Sequence, residues 1–354
     1  MHALAMAVSA NLPVILWGAP GTGKTSSVLA LGEQLRLPVE VVVGSVREPS
    51  DFAGLPVVRD GGTWFAPPRW AERLAAAGRG ILFLDELTTA PPAVQAAMLR
   101  VVLERVVGDL ALPGGVRIVA AANPPALAAD GWDLSAPLAN RLVHLDWSIS
   151  AASVADGFMG GFAVPDLAGA AAPTPAAVGA ARALVGAFLR VRPSLVLAVP
   201  EDSGRAWPSP RTWELAATAL ACTSSRPDAW AERVRAELVV GAVGEAAGFE
   251  LLSWVRDLDL PDPETLLSEP AAPLPERVDR LHAVLGSVVA HVRADGGGDS
   301  WQRAWSLVAR VARRTPDVAA GAARSLASRR PEGAALPPAM LELAPILRAA
   351  GLMP

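Results

Sequence analysis

Along the first 147 residues the chain alternates between two hydrophobic patterns. Short, nearly continuous apolar runs are separated by longer stretches in which apolar positions recur every three or four residues. The runs are Pro13–Trp17, Val39–Val43, Gly80–Leu84, Val116–Ala121 and Leu142–Leu145. Runs of this kind suit strands covered on both faces, as in a parallel sheet, and the interposed helical pattern predicts an α/β fold with five parallel strands. Ser26–Leu37 reads as the first of the helices. One excursion, Gly44–Pro68, interrupts the alternation. Within it, Val57–Phe65 sets two extended runs around Asp60, Gly61 and Gly62, the pattern of a β-hairpin.

After about residue 150 the strand signal ends. Residues 151–175 are rich in Ala, Gly and Pro and read as a linker. Helical patterns follow at Ala176–Val191, Pro210–Thr223 and Ala229–Trp254. Prolines at 261, 263, 270, 273 and 275 then mark a boundary, with further helices expected at Glu276–Arg293, Ser300–Arg313, Asp317–Ala327 and Pro338–Ala350. The division expected from this pattern is an α/β domain at 1–150, with an insert at about 44–68, a linker at 151–175, a helical region at 176–260 and a helical extension at 261–354.

Composition narrows the function classes. Hydrophobic residues make up 52% of the chain, yet no uncharged apolar stretch reaches membrane-spanning length; the nearest, Leu167–Ala181, is broken by Pro173 and Pro175. The N-terminus has no basic leader before an apolar segment, so a cytoplasmic protein is expected. A net charge of −4 gives no bulk attraction to nucleic acid. Cys222 is the one cysteine, which excludes an internal disulfide, and the four histidines lack metal-ligand spacing.

Of 31 basic residues, Lys24 is the single lysine and the other 30 are arginine. It lies in Gly18-Ala19-Pro20-Gly21-Thr22-Gly23-Lys24-Thr25, followed by Ser26. The segment has the spacing of the phosphate-binding loop, between an apolar run and a helix. There, backbone N–H groups and a compact ammonium surround nucleotide phosphates, a place where a forked guanidinium does not substitute. About sixty residues on, Ile81-Leu82-Phe83-Leu84 ends in Asp85-Glu86. In phosphate-loop enzymes such an Asp, with the loop hydroxyl of Thr25, holds Mg²⁺, and the adjacent Glu activates the attacking water.

The order of motifs resembles an AAA+ ATPase of the MoxR branch in the helix-2-insert group. Arg47-Glu48-Pro49-Ser50-Asp51-Phe52-Ala53-Gly54 with the hairpin resembles the insert, and Asp85 to Leu99 the acidic motif and its following helix. Ala121-Ala122-Asn123-Pro124 is similar to sensor 1, Leu138-Ala139-Asn140-Arg141-Leu142 to the arginine-finger segment, and Ser209-Pro210-Arg211 to sensor 2. The resemblance implies a phosphate-loop NTPase core with an insert hairpin, an all-α lid over 176–260 and a helical C-terminal extension. It implies ATP and Mg²⁺ as cofactors, Asn123 positioning water, Arg211 reaching the nucleotide from the lid, and Arg141 acting on a neighbouring protomer's nucleotide. By the same resemblance the chain forms a homo-oligomeric ring, most often a hexamer, and remodels a protein client with a partner carrying a von Willebrand factor A domain.

Two departures stand out. Relatives carry Asn-Arg where this chain has Thr88 and Thr89, and only seventeen residues precede Gly18, so either Met1–Asn11 and the lid form the adenine pocket or nucleotide affinity is reduced. Trp64 and Phe65 at the hairpin either grip a substrate or pack on their own domain. Two other function classes remain open from sequence: a nucleic-acid-stimulated motor, and a nucleotide-gated scaffold that does not hydrolyse ATP.

Overall fold

The computed structural model describes residues 1–59, 61–124, 127, 131–162, 164, 167, 170–200, 205–224 and 228–349. The chain divides into two compact units, one of residues 1–172 with 197–248, the other of 173–196 with 249–354.

Among the described residues the first unit has nine strands: β1 (Val14–Trp17), β2 (Val39–Val43), β3 (Leu55–Arg59), β4 (Gly62–Ala66), β5 (Arg79–Asp85), β6 (Val106–Val107), β7 (Leu110–Ala111), β8 (Gly115–Ala122) and β9 (Val143–Asp146). All five apolar runs read from the sequence enter one sheet in the order β2-β5-β8-β1-β9, every pairing parallel. Side chains alternate across it. Ile15, Trp17, Leu82, Leu84, Ile118 and Ala120 join one continuous core on one face, while Val14, Leu16, Ile81, Phe83 and Val119 are buried on the other. Burial on both faces of the inner strands explains why their runs are nearly continuously apolar, while the edge strand β2 is mostly half-buried and carries Glu40.

Helices α1 (His2–Ser9), α2 (Lys24–Leu35), α3 (Ser50–Ala53), α4 (Arg69–Ala77), α5 (Pro92–Glu104), α6 (Ala136–Ala139) and α7 (Ala151–Gly160) belong to this unit. α7 lies inside the stretch read as a linker, and its start is fixed by a reciprocal capping box between Ser150 and Ser153. The excursion folds as expected into an antiparallel β3–β4 hairpin with Val57 opposite Trp64; Asp60 lies outside the described residues. Trp64 is half-buried, with the Arg59 guanidinium 5.6 Å from its ring centre, and Phe65 is exposed.

α8 (Pro175–Val191), α9 (Pro210–Cys222), α10 (Ala229–Val243) and α11 (Glu245–Arg256) follow. The sequence pattern over 229–254 suggests one helix, but Gly244 takes φ 85° and ends α10 there; a Cβ at this position would also lie 2.8 Å from the Ala206 carbonyl oxygen, so glycine is required. α9 and α10 fall in the first unit with the sheet. α10 lies against β9 so closely that a Cβ on Gly241 would sit 2.3 Å from the His144 carbonyl oxygen.

In the second unit, α12 (Pro263–Ser268), α13 (Val278–Asp295), α14 (Gly298–Ala312), α15 (Pro316–Ala327), α16 (Pro338–Glu342) and α17 (Ala344–Ala349) accompany α8. Its core centres on Trp301 and Trp305, packed edge-to-face at 5.8 Å, with the Trp301 indole N–H donating to the Leu326 carbonyl at 3.0 Å. No helix among the described residues is long and apolar enough to cross a membrane.

Candidate nucleotide site

The parallel register builds the site. Trp17 pairs with Ala122 and Leu84 with Ala120, so the chain leaves β1, β5 and β8 at the same edge of the sheet. The next residues are Gly18, Glu86 and Asn123, and ligands of open α/β sheets bind at this carboxyl edge. A cleft of about 370 Å³ opens here, lined by residues 20–26, Asp85, Glu86, Ala121, Ala122 and Asn123.

Gly21 and Gly23 adopt φ 75° and 79°, a left-handed conformation that favours glycine and curls the loop into α2. Gly18 is required for a different reason: a Cβ there would lie 2.5 Å from the Trp147 carbonyl oxygen. The loop is also tied down by the Trp147 indole N–H, which donates to the Thr22 carbonyl at 3.0 Å.

Lys24 is 8% exposed and its ammonium donates to the carbonyls of Gly18 (2.7 Å) and Ala19 (3.0 Å) and to Asn123 Oδ1 (3.2 Å). Burial lowers its pKa from the ordinary value, opposed by the Asp85 carboxylate. Thr25 Oγ1 donates to Asp85 Oδ2 at 2.7 Å, and Asp85 Oδ1 accepts from the Glu86 backbone N–H at 2.9 Å. Both oxygens of Asp85 are thereby oriented. Glu86 occupies φ 56°, unusual for a residue with a side chain, and its Oε2 accepts a hydrogen bond from the Ser45 hydroxyl.

Sequence reasoning missed Ser45 and the role of Thr88. Ser45 sits on a one-turn helix, Gly44–Val46, after β2, and nothing in its neighbours marks it; only the pairing of β2 with β5 brings it to Glu86. Thr88 replaces a polar residue of the resembling proteins, yet it is 2% exposed and its hydroxyl both donates to the Asn123 carbonyl and accepts from the Asn123 N–H, each at 3.3 Å. It fastens the turn after β5 to the end of β8. Thr89 closes the same turn by donating to the Glu86 carbonyl at 2.9 Å.

The structure thus brings Lys24, Thr25, Asp85, Glu86 and Asn123 together, while Arg141 and Arg211 do not line the cleft. Arg141 donates from Nη1 to the Pro137 carbonyl, and its Nε has no partner. Burial, and then the positive charge of Arg211, pushes its pKa below the ordinary value, so the two arginines are near enough to repel. Their segments are joined as well: Ser209, N-cap of α9, donates to Asn140 Oδ1 at 2.8 Å. Behind the loop, the Trp17 indole N–H donates to His144 Nδ1 at 2.9 Å, which leaves His144 Nε2 to donate to the Ala139 carbonyl at 3.0 Å. Burial drives the His144 pKa down to about 4.

Comparison with known proteins agrees with this geometry in one respect. Residues 13–142 match the family described as AAA domain (dynein-related subfamily). Among solved structures, a candidate ATPase of Cytophaga hutchinsonii is similar, with 15% identity and a TM-score of 0.43 over 73% of this chain and 88% of that one. No curated protein matches the chain.

Proposed function

We propose that this chain, whose residues 13–142 form a nucleotide-binding domain of the AAA type, is a MoxR-type ATP hydrolase that uses turnover to remodel a protein client. The observation that carries the reading is the convergence in one cleft of a caged lysine, a Thr25–Asp85 pair and the Glu86 carboxylate.

Each group has a task that its geometry suits. The N–H groups of the glycine loop and the start of α2 receive the phosphates, and the Lys24 ammonium adds a point charge beside them. Thr25 Oγ1 and Asp85 Oδ2, 2.7 Å apart, form an all-oxygen pair of the kind a small divalent cation accepts, so these residues would hold Mg²⁺. A bound Mg²⁺ supplies neutralisation of charge developing on the phosphate oxygens. Glu86 accepts the proton of the attacking water, with Ser45 fixing one carboxylate oxygen. Asn123, locked through its backbone by Thr88, keeps its amide at the same edge and helps align the water.

Arg141 acts in trans on a neighbouring protomer's nucleotide and Arg211 in cis, which makes the functional form a ring, a hexamer in this reading. Their mutual repulsion, with no carboxylate partner recorded for either among the described residues, supports a pair that faces an anion. A von Willebrand factor A domain protein is the proposed partner, and the cytoplasm the proposed location.

The test is capture by the Glu86→Gln chain, which binds ATP without cleaving it. Client protein retained with ATP and released without it is the expected result. Recovery of nucleic acid without protein, with turnover stimulated by DNA or RNA in a salt-sensitive way, would replace this reading with that of a nucleic-acid motor.

A further inference from the structure

The second unit contains a groove of about 820 Å³ between α8, α13 and α15, within the size range of small-molecule sites. Among the described residues its lining includes five arginines, Arg182, Arg190, Arg293, Arg324 and Arg329, together with His282, and no Asp or Glu. The floor is made of small residues. α8 and α13 approach closely at Gly286, where a Cβ would lie 2.7 Å from Ala183 Cβ, and at Gly179, 3.3 Å from Ala290 Cβ. Over Gly186 the space is open, with nothing within 4 Å of a Cβ placed there. From α8 the Arg190 guanidinium reaches across to α15, where Nη2 would be 3.5 Å from a Cβ on Gly321. The glycines therefore keep the trough clear while the guanidiniums line it.

Among the described residues, four of the five guanidiniums, those of Arg190, Arg293, Arg324 and Arg329, carry no ion pair. Arg277, in contrast, holds Asp279 at 2.6 Å, and Arg313 holds Glu342 at 2.9 Å. Asp279, the one carboxylate that acts on His282, is thus already engaged by Arg277. Repulsion is felt inside the groove: burial and then Arg190 lower the His282 pKa, and burial and then Arg329 lower that of Arg293. A chain of net charge −4 has carboxylates enough to pair surface arginines, and here none of the described lining residues is a carboxylate.

We infer that this groove binds a small multivalent oxyanion, a polyphosphorylated or polycarboxylate molecule, at a site separate from the phosphate-loop cleft. Guanidinium forks pair with phosphate or carboxylate in a bidentate way, and several on one concave surface match an anion bearing several such groups. Among the described lining residues His282 is the one ring and none offers an aromatic platform to stack a nucleobase, so recognition rests on charge and shape. Occupancy would bridge α8, α13 and α15 and stiffen the second unit.

The experiment is calorimetric titration of the full Lys24→Ala chain with inorganic tripolyphosphate and, separately, citrate. This background is weakened at the phosphate loop, so the outcome is independent of whether the chain hydrolyses ATP. Binding of either anion, weakening as salt is raised, is expected; the tighter of the two identifies the phosphate or carboxylate class. Adding Arg190→Gln, Arg324→Gln and Arg329→Gln together should weaken that binding at least about tenfold, with an unchanged circular dichroism spectrum. A control carrying Arg233→Gln, Arg256→Gln and Arg303→Gln, exposed residues outside the groove, removes the same charge and should bind as the parent does. Failure of both anions to bind, or equal loss in the control, would overturn the inference.

Discussion

Lys24 has all its donors committed to oxygens that the loop and β8 hold in place, so its position is set before any phosphate is considered. Asn123 is held with the same economy, and the residue that holds it is Thr88. Thr88→Val keeps the shape and removes the hydroxyl, leaving a buried N–H and C=O without that partner, at a cost of roughly 1–3 kcal/mol in stability. Turnover should fall about tenfold while nucleotide affinity changes little, because Thr88 acts on the alignment of Asn123 and not on the phosphates. Phosphate release compared with fluorescent-nucleotide binding separates the two effects.

His144 gives the fold an acid-sensitive point. Its pKa is about 4 in the fold against 6.5 ordinarily, so above 6.5 both folded and unfolded chains carry a neutral ring and nothing is lost. As pH falls from 6.5 toward 4 the unfolded chain binds a proton that the folded chain refuses, and stability declines by about 1.4 kcal/mol per pH unit, levelling off below 4. His144→Gln, which retains an acceptor for the Trp17 indole, should flatten this part of the profile in denaturant melts taken between those values. Cys222, by contrast, is an inert core thiol: burial raises its pKa to about 12, and Sγ donates to the Thr218 carbonyl at 3.0 Å.

At the level of elements, close approach decides what can be changed. α10 presses on β9 through Gly241, with only 2.3 Å available between a Cβ and backbone oxygen, so Gly241→Ala must displace the helix. The expected cost is about 1–3 kcal/mol, read as a lower unfolding midpoint, with a larger loss for Gly241→Val. The elements themselves were legible where burial leaves a local trace. The sheet strands appear in the sequence as apolar runs, the inner ones because both their faces are covered, and the phosphate loop appears because its glycines and lysine are adjacent in the chain. What sequence could not supply depends on pairing over distance. Ser45 meets Glu86 across 41 positions and Trp17 meets His144 across 127. The break at Gly244 was hidden because the apolar helical pattern runs on through it, while the left-handed φ of 85° that ends α10 leaves no trace beyond the glycine itself. α7 was masked by its composition, since Ala and Gly dilute the periodic signal that its capping serines preserve.

Across the whole molecule, the candidate nucleotide cleft is lined by residues of the first unit, and the arginine pair sits in that unit but outside the cleft's lining. The Ser209–Asn140 bond couples α9 to the segment bearing Arg141, so a shift of one would move the other. If Arg141 serves a neighbouring protomer, Arg141→Ala should leave ATP binding nearly intact while turnover of the assembled protein drops by about a thousandfold or more. Unchanged turnover in the assembled variant would remove Arg141 from that role. The arginine groove is lined by residues of the second unit, none of which lines the phosphate-loop cleft.

The central claim, that this cleft hydrolyses ATP through Glu86, is tested most directly by steady-state phosphate release from the full chain at saturating ATP and Mg²⁺, beside the Glu86→Gln chain. The account predicts sustained release by the native chain and a fall to background in Glu86→Gln with ATP binding retained. Release that persists in Glu86→Gln, or native protein that binds ATP and never releases phosphate, would contradict it.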